Sequence, residues 1–66
     1  MIDPRKKLEE CERALETCTK EGRREALHNL RFLWEAIEKD RTAGKVHWLD
    51  DATEVDKVHT EVLGTA

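Results

Sequence analysis

Five side chains in this chain could hold a metal ion: Cys11, Cys18, His28, His47 and His59. Structural zinc sites use close pairs such as C-x2-C or H-x3-H, which bring two ligands to one ion within a turn. Here the cysteines are seven residues apart and no two histidines lie within five of each other. The spacing predicts no zinc site, and solvated or partner-facing histidines are the expectation. On a helix, seven residues separate the Cα atoms of Cys11 and Cys18 by roughly 10 Å, beyond the ~7 Å reach of a disulfide. Both cysteines are therefore expected as free thiols behaving as small apolar side chains.

Nucleophilic or hydrolytic catalysis needs a nucleophile, a base and an orienting group around a dry cavity. The chain carries no glycine-rich phosphate loop, no G-x-S-x-G and no metalloprotease motif. Its 66 residues leave little volume for a substrate pocket. The reading is a non-enzymatic chain without a cofactor.

Charge is more informative. The net charge is −3, but it is unevenly spread. Residues 1–25 balance seven basic against seven acidic side chains, whereas residues 46–66 set Lys57 alone against Asp50, Asp51, Glu54, Asp56 and Glu61, a balance of −4. This acidic segment reads as a surface that steers toward a protein partner with a basic surface. Small acidic proteins of phages and mobile elements offer an analogy for such a role. Two basic clusters, Arg5-Lys6-Lys7 and Lys20 with Arg23 and Arg24, give the competing reading of a nucleic-acid-binding regulator. Glutamates interleave both clusters, and a recognition helix opening Asp50-Asp51 would repel phosphate. Nucleic acid is therefore the lesser reading. A structural assembly subunit is a third.

These residues need elements to hold them. Leu8, Cys11, Leu15 and Cys18 recur with 3-4-3 spacing, the mark of one apolar helical stripe. Leu27, Leu30, Trp34 and Ile37 repeat the spacing out of phase. Gly22 lies between them, so the expectation is two helices, about 4–20 and about 23–42, broken at the glycine. Asp3 and Pro4 form a start signal for the first helix, and Gly44 a stop signal for the second. A linker over about 43–50 precedes a third helix over about 51–63, capped by Asp50 or Asp51, with Glu54 completing an approximate capping box and Gly64 ending it. Val55, Val58 and Val62, supported by Ala52 and Leu63, are its expected apolar face.

The predicted fold class is all-α, an antiparallel hairpin plus a shorter third helix in one small domain. So small a chain buries only about 60% of its unfolded surface. A homodimer is accordingly expected, with Leu8, Leu15, Leu27, Leu30, Trp34 and Ile37 as interface or core. Phe32 and Trp48 fall off these stripes and are candidate apolar anchors for a partner. No apolar signal stretch opens the sequence and no run approaches the ~20 apolar residues of a membrane span. A cytoplasmic location without membrane attachment is the expectation.

Overall fold

The computed structural model describes residues 2–63. Three helices follow in order, α1 (Pro4–Thr17), α2 (Glu21–Thr42) and α3 (Trp48–Leu63). The all-α three-helix class is the one expected, but the third helix, at 16 residues, is longer than the first, at 14, where a shorter one was expected. α2 is the central element: α1 and α3 both pack along it and touch each other at few points. Lys7 meets Asp56 and Glu10 meets His59, so α1 and α3 run in the same direction, with α2 antiparallel to both.

α1 starts as its residues dictate. Asp3 is extended and its Oδ1 accepts from the Arg5 N–H at 3.0 Å, with Pro4 at the first helical position. There its missing N–H donor is not needed. The end of α1 departs from expectation. The helix stops at Thr17, and Cys18 and Lys20 are both extended. Gly22 is no terminator; it lies in the first turn of α2, which begins at Glu21. The guanidinium of Arg24 reaches back and donates to the carbonyls of Leu15 and Cys18, 3.0 Å each. It thereby satisfies acceptors that a helix C-terminus leaves open. A side chain from the next helix, not a glycine, closes α1.

Gly44 closes α2 as expected. Its φ of +79° places it in the left-handed region. The Gly44 N–H bonds to the Arg41 carbonyl and the Lys45 N–H to the Asp40 carbonyl, each at 3.1 Å. That bond pair is a Schellman cap, which an L side chain at the central position would strain.

α3 begins three residues earlier than the sequence implied. Trp48 and Leu49 belong to it, so the linker is shorter, and Asp50 and Asp51 sit in the first turn instead of capping it. The capping box with Glu54 is not formed: the first helical bond runs from the Asp51 N–H to the His47 carbonyl. Carboxylates in a first turn still complement the helix dipole. The expected stop at Gly64 lies outside the described residues.

The core contains Cys11, Leu30, Trp34, Ile37 and Ala52, with Leu8, Trp48, Val55, Val62 and Leu63 packed around it. Leu27 is also fully buried, and Leu15 is half-buried. One sequence expectation is corrected here. Cys18 is only half-buried and leaves the stripe, because the chain turns extended at that residue. The Leu27, Leu30, Trp34 and Ile37 stripe is covered within a single chain, chiefly by α1 and α3. Of the two places expected for these residues, interface or core, they occupy the core.

Candidate interaction surface

The residue that sequence reasoning misplaced most is His59. It is 3% exposed, where a solvated or partner-facing side chain was expected. The indole Nε1–H of Trp34 donates to His59 Nδ1 at 3.1 Å, and Nε2 lies 2.9 Å from Oε1 of Glu10. An indole N–H can only donate, so Nδ1 is the acceptor, and Nε2 carries the proton it gives to the carboxylate. The Cys11 Sγ lies 3.7 Å from the same Nδ1. Burial, then Glu10, then Glu12, push the Cys11 thiol up to about 11. One ring thus joins all three helices, with its polar atoms partnered as a buried group requires. The signal was present: Ala52, Val55, His59 and Val62 keep 3-4-3 spacing, and His59 holds a stripe position that its polar type disguised. Val58, assigned to that stripe, is instead 46% exposed.

Cys11 and His59 are thus buried packing groups, and Glu10 reaches His59 from the exposed side of α1. Among the described residues, no group of three or more His, Cys, Asp or Glu is placed to share a metal ion. His28 and His47 are exposed.

The acidic residues of the third helix divide by direction. Asp50, Glu54 and Glu61 follow 4-3-4 spacing with Lys57 and lie exposed on the outward face, opposite the core stripe. Glu54 pairs loosely with Lys57 at 3.7 Å. Asp51 is exposed on the flank toward α2. Asp56 stands apart: it points inward to Lys7, with Nζ 3.1 Å from Oδ1, and ties α3 to α1. It therefore belongs to the scaffold.

That pair also removes one member of the first basic cluster. Arg5 and Lys6 are exposed at the start of α1, whereas Lys20 and Arg23 are exposed at the α1–α2 turn and Arg24 caps α1. The two clusters lie at opposite ends of a 14-residue helix, about 20 Å apart at 1.5 Å per residue. They form no single basic patch.

The two candidate anchors also separate. Trp48 is half-buried against the core, and the Arg41 guanidinium lies over its ring, 5.9 Å from the centroid. Arg41 additionally meets Glu38 at 3.0 Å and Asp3 at 3.7 Å. Trp48 is thus held at the junction of α1, α2 and α3. Phe32, by contrast, is 72% exposed on the outer side of α2. One turn on, at i+4, is Ala36, which lines a groove between α2 and α3. Leu33, Ala36, Ile37 and Val55 form its apolar lining and Asp40, Asp51 and Glu54 its polar one. Leu33, 42% exposed, opens into it.

Compared with known protein families, characterised proteins and solved structures, the chain matches none of them. No helix among the described residues is long and apolar enough to cross a membrane.

Proposed function

We propose that this chain is a small non-enzymatic protein-binding module, a regulator, adaptor or inhibitor of a larger macromolecule with a basic surface. The observation that carries the reading is the acidic, outward side of α3, with Asp50, Asp51, Glu54 and Glu61 exposed beside an apolar groove and the exposed Phe32. Unpaired charge accelerates encounter, and apolar contacts then hold the complex. Nucleic acid is the weaker reading, because Lys7 and Arg24 are committed to contacts within the fold and the remaining cations are split between two ends.

The test is charge reversal of Asp50, Asp51 and Glu61 to lysine, leaving Asp56 in its pair with Lys7. With a partner captured from the native host, association should slow markedly at low salt, and the difference should shrink as salt screens charge beyond roughly 8 Å. Circular dichroism should show the helices retained. An unchanged on-rate at low salt would reduce the acidic side to a solvated face.

A further inference from the structure

The groove between α2 and α3 has a volume of about 260 Å³. Small-molecule sites are commonly roughly 300–1,000 Å³ and bury most of their ligand. This groove is shallower business, suited to one or two apolar side chains presented by a larger body. Its lining alternates two chemistries: Leu33, Ala36, Ile37 and Val55 are apolar, and Asp40, Asp51 and Glu54 are acidic. The apolar strip continues beyond it. Val58 lies three residues from Val55 and is half-exposed, and Phe32 lies four residues from Ala36.

The acidic rim is available. Asp51 has no ion-pair partner among the described residues, while Asp40 and Glu54 hold lysines at 3.6 and 3.7 Å whose own side chains are mostly exposed. Such pairs are weak and exchange readily for incoming cations. Phosphate would be repelled here. An extended peptide has no sheet edge to join among the described residues. A second copy of this chain fits poorly as well, because its one prominently exposed aromatic, Phe32, has Glu35 three residues on and would bring a carboxylate to an acidic rim.

Resting on the protein-binding reading, we propose that the α2–α3 groove receives a basic amphipathic helix from the partner. A large apolar side chain of that helix inserts between Leu33, Ala36 and Val55. Lysines or arginines one turn to either side reach Asp40, Asp51 and Glu54. This is helix-in-groove recognition, in which apolar anchors at i, i+3, i+4 or i+7 give affinity and flanking charge gives register.

The test uses the whole chain and a labelled designed helical peptide with leucines at i, i+4 and i+7 flanked by lysines. Two comparison peptides replace the lysines by glutamate or the leucines by serine. The leucine–lysine peptide should bind at least about tenfold tighter than either, and its footprint in amide chemical shifts should fall on Leu33, Ala36 and Val55. Leu33→Ser and, separately, Asp51→Lys should each weaken it several-fold. Asp51 is exposed, so the second variant keeps the test decisive should the first lose structure. Absence of binding by the leucine–lysine peptide overturns the proposal. Equal binding by the serine–lysine peptide, with shifts confined to Asp50 and Glu61, also overturns it while leaving the acidic protein-binding reading standing. Sedimentation that shows self-association abolished by Leu33→Ser would make a second copy the occupant and sink the partner-helix assignment. Loss of partner capture by the charge-reversed α3 is scored separately, so failure of the groove and failure of the broader function are distinguishable.

Discussion

Trp34 and Phe32 are two residues apart and belong to different worlds. The indole of Trp34 is fully buried and donates to His59, while Phe32 faces outward. Trp34→Ala should cost roughly 3–5 kcal/mol, the usual range for emptying a large aromatic site, and Phe32→Ala less than about 1 kcal/mol. Urea denaturation of the two variants side by side checks this; equal losses would place Phe32 in the core. The polar side of the site is tested by His59→Leu, which strands the buried indole N–H and should cost on the order of 1–3 kcal/mol. In the Trp34→Phe background there is no N–H to strand, so the same substitution should cost distinctly less. A double-mutant cycle reads that difference directly.

Cys11 gives a pH dependence with a definite sign. The folded chain holds the thiol proton up to about 11, against an ordinary value of 9.0 in the unfolded chain, because burial opposes the thiolate and Glu10 and Glu12 add to the effect. The thiol's contribution is therefore fully present below pH 9 and is lost as pH rises from 9 toward 11, where only the unfolded chain ionises readily. The loss is on the order of 2 kcal/mol. Measured against Cys11→Ala at each pH, the stability advantage of the unaltered chain should shrink across this window. Parallel curves would show that the thiol ionises as easily folded as unfolded.

Among the helices, the glycines act in opposite ways. Gly22 is within the first turn of α2, with open space where a Cβ would stand, whereas Gly44 holds φ +79° in the Schellman cap. Gly22→Ala should stabilise by up to about 1 kcal/mol, since alanine loses less conformational freedom on folding. Gly44→Ala should destabilise by about 1–2 kcal/mol, the cost of a left-handed L residue. Thermal melts of the two variants that moved in the same direction would contradict this assignment.

The same contrast shows what was legible in the sequence. The first two helices followed from out-of-phase stripes and the third from its valines and leading aspartates, while the Asp3-Pro4 start and the Gly44 stop followed from local chemistry. The α1–α2 break did not, because it depends on Arg24 reaching carbonyls six and nine residues back, a contact between helices. The start of α3 was hidden because its first helical bond goes to His47, a residue with no capping preference, while the aspartates beyond it resemble caps. For the candidate site, residue types identified the acidic helix and the exposed Phe32. They could not separate Asp56 from its acidic neighbours, since only its distance to Lys7 does that. Nor could they reveal the groove, which needs side chains from two helices.

At the scale of the molecule, α2 is covered along its stripe by α1 on one side and α3 on the other. The side chains of Leu27, Leu30, Trp34 and Ile37, expected as interface or core, are enclosed within one chain. The melting temperature should therefore be independent of protein concentration across the micromolar range, since mass action shifts stability only when association is coupled to folding. A rise in melting temperature with concentration would bring obligate assembly back.

The meeting of Glu10, Cys11, Trp34 and His59 at one point also makes the protein self-reporting. Of its two indoles, that of Trp34 has its N–H sealed against a ring supplied by α3 and steadied by α1, while that of Trp48 lies half-open beneath Arg41. In deuterated solvent the first should keep its proton long after the second has lost it. Two resonances in one spectrum would then distinguish a molecule with all three helices docked from one in which a single helix has swung away.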